Sequence, residues 1–384
     1  MIQRREASLR FWTCLMLLAI VGTGASKGVA TAGVSAEKVF GAVTGMLRTD
    51  GFKVVTHVYP APDGAFWVTG FSPGLGGPHA TPWFARRFSS TGAALGPGAS
   101  TDSLPDFLPT PVGTTPDGGL VADVFGFPEN TGQFLAKVSP AGTIDLTKRL
   151  PPHHEVDSYV GRDGLAHLVG NDAYTQVDMT RRGLPVVRTL VYKQPFGRQE
   201  LVPGYLRWGG QLAFLSDGDR RLLVATRMMG RDGSRFRLCR VDTKTLALLD
   251  SGSINVYEDT FRTWRGPEFR TPQTFLVPTD DAGYWLFVAN YDPPPAGNIW
   301  AYRVGPDLKP VRPREANTVA PKSFSEAPSS SVVRIQCTHR TQRLSENGAW
   351  VVPSVLTLDF VAFGCDGQVY VQTLTDNFTI RVNQ

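Results

Sequence analysis

Two segments of the sequence indicate the fold. The first, at residues 62–71, is Pro-Asp-Gly-Ala-Phe-Trp-Val-Thr-Gly-Phe, and the second, at residues 83–92, is Trp-Phe-Ala-Arg-Arg-Phe-Ser-Ser-Thr-Gly. An Asp-Gly pair next to alternating residues predicts a tight turn between antiparallel strands, because glycine accepts the positive φ that such a turn requires. The two segments therefore predict a turn, an apolar strand, a second strand of mixed pattern and a glycine turn.

One repeated phrase, a turn with glycine followed by an apolar strand, recurs along the chain. Aspartate or asparagine begins a glycine turn near residues 63, 117, 163, 217, 281 and 347, at spacings of 46 to 66 residues. A four-stranded propeller blade needs about 40–50 residues, and longer spacings leave room for inserted loops. We therefore expect an all-β chain that forms a single β-propeller of about six (six to seven) four-stranded blades. A pair of β-sandwiches is the alternative, but it would not explain the recurrence of one phrase.

The repeated phrase resembles the β-propeller repeats of secreted bacterial proteins, the SBBP type. Residues 117–142 carry the resemblance best and residues 63–92 next, while the later units share only the turn and the first strand. The resemblance implies a propeller fold and no particular function, because such propellers serve as binding platforms, enzymes and surface proteins.

A propeller must also join its last blade to its first, because open strand edges would pair with other chains. Residues 377–383 alternate like a strand. We expect that either this stretch or residues 37–45 completes a blade begun by the other terminus.

The first 32 residues have the order of a secretory signal peptide. Three arginines precede an apolar run at 11–21, and Ala-Thr-Ala at 30–32 offers a small-residue cleavage site. The apolar run is too short to span a bilayer. We expect cleavage after Ala32, a propeller domain at 33–384, a secreted or periplasmic location and no transmembrane segment after cleavage.

Composition and charge restrict the partners. The apolar fraction of 42% excludes a disordered chain. Residues 1–32 hold four basic residues and one acidic residue, so the net charge of +5 falls to about +2 after cleavage. So small an excess gives no reason to expect nucleic acid as a partner.

Three cysteines stay after cleavage, namely Cys239, Cys337 and Cys365. An odd number allows one internal bridge and one free thiol. Cys337 and Cys365 fall in the predicted last unit, and export permits a disulfide, so we predict a bridge between them. The alternative is that all three are small buried residues.

Three histidines are the candidate metal ligands, because imidazole nitrogens bind zinc. His153 and His154 are adjacent, and His167 comes one predicted strand later. Adjacent residues on a strand point to opposite faces, so the first two could share an ion only in a turn. The alternative is an exposed polar loop, and we expect no cofactor.

A second candidate site is centred on Arg221, Arg227 and Arg237, in a stretch rich in arginine. The planar guanidinium suits carboxylate or sulfate, to which it donates two parallel hydrogen bonds. The alternative is a strand whose arginines face water.

We therefore expect an exported binding or scaffold protein without catalysis of its own, whose partner is an anionic glycan or another protein. The alternative is a propeller hydrolase or lyase that acts on a polysaccharide or a small metabolite at the central channel. An enzyme would bring titratable side chains together at one mouth of that channel.

Overall fold

The structure, a computed structural model, describes residues 35–382 with gaps. The gaps are residues 51–52, 73–82, 101–106, 127–132, 147–149, 151–154, 162, 171–172, 192–209, 214–220, 231–232, 243, 246–247, 257–272, 280, 290–298, 312–316, 319–320, 324–330, 341–342 and 345–347. The predicted signal peptide and its cleavage site therefore lie outside the described residues, as do His153 and His154.

The described part of the chain begins with a helix, α1 (Ala36–Thr49). The Ser35 side chain caps it by accepting a hydrogen bond from the Lys38 backbone N–H. Its buried residues recur at the three- and four-residue spacing of one helix face. They are Ala36, Val39, Ala42, Val43, Thr44, Met46 and Leu47. The expectation that residues 37–45 complete a blade is therefore wrong, because these residues are helical.

Sheets 1 to 5 each contain four antiparallel strands, which pair in chain order. Sheet 1 contains β1 (Val54–Pro60), β2 (Phe66–Phe71), β3 (Trp83–Phe88) and β4 (Ala94–Ser100). Sheet 2 contains β5 (Phe107–Thr114), β6 (Leu120–Gly126), β7 (Gln133–Val138) and β8 (Ile144–Leu146). Sheet 3 contains β9 (Glu155–Val160), β10 (Leu165–Gly170), β11 (Ala173–Asp178) and β12 (Val186–Val191). Sheet 4 contains β13 (Gly210–Ala213), β14 (Arg221–Gly230), β15 (Gly233–Asp242) and β16 (Leu248–Val256). Sheet 5 contains β17 (Gln273–Pro278), β18 (Tyr284–Ala289), β19 (Ile299–Val304) and β20 (Asn317–Thr318).

Sheet 6 has a different order, β21-β25-β24-β22, and a short β23 that pairs with β24. Its strands are β21 (Pro321–Ser323), β22 (Ser331–His339), β23 (Arg343–Leu344), β24 (Trp350–Phe363) and β25 (Val369–Val382). The predicted C-terminal strand exists, as part of β25. Every strand of sheet 6 comes from residues 321–382, so the expected exchange of a strand between the termini does not occur among the described residues.

The first strands of neighbouring sheets lie side by side, in the order β1, β5, β9, β13 and β17, and β22 lies next to β1. The prediction of a mostly β chain with several four-stranded antiparallel sheets is thus confirmed. Buried apolar side chains fill the junctions between sheets 1 and 2, 2 and 3, 4 and 5, 5 and 6, and 6 and 1. Trp67 of sheet 1, for example, packs with Leu120 and Val138 of sheet 2. No helix among the described residues is both long and apolar enough to cross a membrane.

The predicted bridge between Cys337 and Cys365 is wrong, and the strand register shows why. Cys337 of β22 pairs with Leu356 in the middle of β24, whereas Cys365 follows the end of β24 and is a free thiol. Successive strand residues are about 3.3 Å apart, so the seven positions from Leu356 to Phe363 already span more than 20 Å. A disulfide requires the two Cα atoms to lie within about 7 Å.

Candidate functional site

The Asp-Gly turns of the sequence form one recurring structure, which we call the aspartate corner. It spans five residues: the first N–H donates to the fifth carbonyl, and the fourth N–H donates to the first carbonyl. The fifth N–H also donates to the carboxylate of the aspartate at the third position, as in the Ala65 to Asp63 bond of 3.2 Å. The described corners are residues 61–65, 115–119, 161–165, 279–283, 305–309 and 364–368. The fourth residue has positive φ, which explains its usual identity as glycine.

In three sheets the third strand supplies a basic side chain to the corner. Arg87 pairs with Asp63, Lys137 with Asp117 at 2.8 Å, and Arg303 with Asp281. Each basic residue lies opposite the residue four positions after its aspartate, as shown by the pairing of Arg87 with Trp67. The shared register explains why arginine or lysine recurs at the same place in the repeated phrase.

These contacts lower the pKa values of two corner carboxylates, Asp281 and Asp117. The Thr279 hydroxyl, followed by the Arg303 guanidinium, lowers the pKa of Asp281 to about 2 by hydrogen bonding to its charged form. Burial raises the pKa of Asp117, but hydrogen bonds from Lys137 and Thr115 outweigh it and leave that pKa below its ordinary value. The carboxylates are therefore held ionised, as structural anchors require.

His167 belongs to the aspartate corner of sheet 3. The residue of β11 that lies opposite His167 is Gln176, so the third strand supplies no basic residue at this position. His167 lies four positions after Asp163 and is fully buried, with Nε2 3.7 Å from the Asp163 carboxylate. Burial raises the pKa of Asp163, but the neighbouring His167 ring and the Leu165 backbone N–H, with smaller contributions, together leave that pKa below its ordinary value. Among the described residues no group of histidine, cysteine and acidic side chains could hold a metal ion, so His167 is placed as a corner residue.

Corners also join neighbouring sheets. The Trp67 indole N–H of sheet 1 donates to the Gly118 carbonyl in the corner of sheet 2, at 2.9 Å. Trp285 of sheet 5 similarly lies against Gly367 of sheet 6, where an added Cβ would fall 2.6 Å from the indole ring. Many of the charged and aromatic side chains that recur in the repeated sequence thus hold the sheets together.

The three candidate arginines do not lie on one face of sheet 4. In the register of β14 and β15, Arg221 is opposite Asp242 and Arg227 is opposite Phe236, while Arg237 is opposite Thr226. Because directly opposed residues share a face and successive residues alternate, position 237 lies on the other face from positions 221 and 227. The side chains of these arginines lie outside the described residues.

A cleft of about 390 Å³ lies between α1 and sheet 1, and we call it the α1 cleft. Its lining residues are Lys38, Gly41, Ala42, Gly45, Met46, Thr49, Arg86, Phe88, Thr91, Gly92 and Ala94. Gly41 and Gly45 are exposed on the helix, and no atom lies within 4 Å of a Cβ added at either one. The turn at Gly92 approaches the helix so closely that an added Cβ would lie 3.2 Å from the Lys38 carbonyl oxygen. Small residues therefore create the cleft and also bring its two walls together.

The α1 cleft is cationic. Lys38 is exposed at its rim, and Arg86 reaches it from β3. Arg86 also pairs with Asp50, the residue that ends α1, and Asp50 lies 3.4 Å from the Lys53 ammonium. Burial raises the pKa of Asp50, but Lys53, Thr49 and Arg86 together hold it below its ordinary value. The cleft thus offers the positive charge of Lys38 and Arg86 to a bound molecule, while the Thr49 hydroxyl donates within the helix, to the Gly45 carbonyl at 3.0 Å.

Sequence reasoning misses this cleft because it misses α1. The signal for the helix is nevertheless present: Ser35 stands at the N-cap, Glu37 in the first turn and Arg48 in the last turn. Val39, Val43 and Leu47 also repeat at four-residue intervals, which is a helical spacing.

Comparison with known proteins gives fold-level likeness only. No protein-family model and no curated protein sequence matches the chain. The β-propeller domain of the Trilobed protease from Pyrococcus furiosus, a structure with an open velcro topology, matches 87% of this chain and 98% of its own length, with 7% identity and a TM-score of 0.38. A glycoside hydrolase matches 87% of this chain and 97% of its own, with 11% identity and a TM-score of 0.38. A protein of unknown function from Bacteroides caccae matches 67% and 80%, with 13% identity and a TM-score of 0.36. Likeness at this level assigns no function and no residue role to this chain.

Proposed function

We propose that the chain is an exported six-bladed β-propeller that acts as a binding scaffold, with an anionic ligand in the α1 cleft and no catalysis of its own. The propeller is supported by the side-by-side order of the first strands and by the position of β22 next to β1. Six sheets arranged in this way would form a ring, with one strand of each sheet on the inside.

The lining of the α1 cleft carries the proposal. It includes two cations, Lys38 and Arg86, and two hydroxyl groups, from Thr49 and Thr91. None of the described lining residues is an acid, a histidine or a cysteine, which are the usual general bases and nucleophiles. A volume of about 390 Å³ falls within the range of small-molecule sites. The cleft is therefore suited to hold an anion, such as one sulfated or carboxylated unit of a glycan.

Retention on an immobilised sulfated glycan tests the proposal. We expect the wild-type protein to be retained and to elute as salt rises, because attraction between exposed charges is screened over about 8 Å at physiological ionic strength. Lys38→Glu reverses the charge at the rim and should lower the eluting salt concentration. Gly45→Leu should do the same without a change of charge, because it fills the cleft.

Lys244→Glu is the matched control, because Lys244 is an exposed lysine of sheet 4 and undergoes the same charge change. It should elute close to the wild type. Equal loss of retention in the Lys38 and Lys244 variants, with none in Gly45→Leu, would show that only general surface charge binds the glycan and would overturn the proposal.

A further inference from the structure

The junction between sheets 1 and 6 contains α1, and its apolar face touches both sheets. Val39, Val43 and Leu47 are at most 4% exposed. They belong to one buried cluster that also contains Phe66, Val68, Phe84 and Phe88 of sheet 1 and Leu356, Leu358, Phe360, Phe378 and Ile380 of sheet 6. The helix therefore fills the junction as a separate element.

No strand is shared across this junction in the described part of the chain. The strands of sheet 6 come from residues 321–382, and those of sheet 1 from residues 54–100. β1 and β22 lie next to each other, but the described strand ladders do not pair them. Side-chain packing, much of it by α1, thus joins the first and last sheets.

The polar contacts of α1 with sheet 6 lie at the solvent-exposed edge of this packing, while Asp50 at the end of the helix pairs with Arg86 of sheet 1. Arg48 pairs with Asp376 of β25 at 2.6 Å, and the Gln372 amide donates to the Glu37 carboxylate at 2.7 Å. The Arg48 side chain is 53% exposed. Exposed pairs of this kind add little stability, because water and salt screen them. The docking of α1 consequently depends on its apolar face.

We propose that α1 is a detachable clamp: the junction between sheets 1 and 6 opens by release of α1 while sheets 2 to 5 stay packed. A 14-residue helix is marginal in water on its own, so α1 unfolds once it leaves its place. Opening then exposes the apolar faces of β2 and β25 but breaks no strand ladder. Local opening of one cooperative unit below the global unfolding free energy is a general property of proteins.

Amide hydrogen exchange of the full chain tests the clamp, with Leu47→Ala as the probe and Leu168→Ala as the matched control. Both leucines are fully buried, Leu47 between sheets 1 and 6 and Leu168 between sheets 2 and 3. We expect Leu47→Ala to speed exchange by about tenfold or more in α1, because large-to-small core changes remove more than the 1.4 kcal/mol that a factor of ten represents. The amides of β2, β24 and β25 should stay slow, because release of α1 leaves their strand ladders intact. Exchange in β10 and β11 should stay unchanged.

Leu168→Ala should lower the global unfolding free energy but leave exchange in α1 close to that of the wild type. Exchange that is faster by the same factor in α1 and in every sheet of the Leu47 variant, or unchanged exchange in α1, would overturn the proposal. Should Leu47→Ala fail to fold, exchange of the wild-type protein in low guanidinium decides: α1 must have an opening free energy lower than those of β25 and β10. An equal value for all three would overturn the clamp.

Discussion

The junction between sheets 1 and 2 and the junction between sheets 1 and 6 are built in different ways. At the first, the two sheets touch directly: Trp67 is fully buried between them and donates to the Gly118 carbonyl, and the Tyr59 hydroxyl donates to the Pro111 carbonyl at 2.8 Å. At the second, β1 lies next to β22, but α1 also packs against both sheets, and its polar contacts with sheet 6 lie at the surface.

Only the junction between sheets 1 and 6 depends on a local unit, α1. A buried indole that packs on the next corner and also satisfies its backbone carbonyl cannot leave without exposing an unpaired polar group in the core. α1, by contrast, can leave without breaking a backbone hydrogen bond to either sheet, since its described backbone hydrogen bonds lie within the helix and its ends. The sheets of the first junction should therefore separate only when the whole fold unfolds, whereas those of the second can separate while the rest stays folded.

The largest effect is expected for Trp67→Ala. Removing a fully buried tryptophan side chain should cost about 3–5 kcal/mol of unfolding free energy, because it leaves a cavity and an unsatisfied Gly118 carbonyl. Guanidinium unfolding should show one transition at a lower midpoint, with the slope preserved. Trp67→Phe keeps most of the volume and should lose less. A separate early transition in Trp67→Ala would contradict the contrast between the junctions.

Local turns and strands could be predicted from the sequence. The corners at Asp63, Asp117 and Asp163 follow from Asp-Gly pairs, because every hydrogen bond of a corner lies within five residues. The strands β2 and β3 likewise lie within residues 62–71 and 83–92, where the sequence predicts an apolar strand and a second strand of mixed pattern.

Contacts between distant parts of the chain could not be predicted. The prediction of a bridge between Cys337 and Cys365 is wrong because it depends on the register of β22 against β24. The placement of the candidate arginines on two faces of sheet 4 likewise depends on the register of β14 against β15. A single sequence does not record which residues face each other across two long strands. The α1 cleft is missed for the same reason, since Lys38 and Arg86 are 48 positions apart and meet only after the helix docks.

A small effect is expected for Arg48→Ala, which removes the pair between α1 and Asp376. The unfolding free energy should fall by less than about 1 kcal/mol, because both side chains are partly exposed. Asp376→Ala and the double variant complete a cycle that isolates the pair. A coupling energy well above about 1 kcal/mol would show that surface charge, and not the apolar face, holds the helix.

The smallest effect at neutral pH is expected for Asp281→Asn, in a corner that belongs to neither junction. The folded pKa of Asp281 is about 2, below its ordinary value of 3.8, because Thr279 and then Arg303 bind its charged form. A lowered folded pKa gives stability that is complete above the unfolded pKa and is lost as pH falls through the folded one. The stability advantage of the wild type over Asp281→Asn should therefore shrink between about pH 4 and pH 2. Thermal unfolding at a series of pH values measures this. Thr279→Val and Arg303→Gln should each remove part of this pH dependence, because the Thr279 hydroxyl and then the Arg303 guanidinium bind the charged form. The same acid dependence in Asp281→Asn as in the wild type would mean that the corner carboxylates do not stabilise the sheets as charged groups.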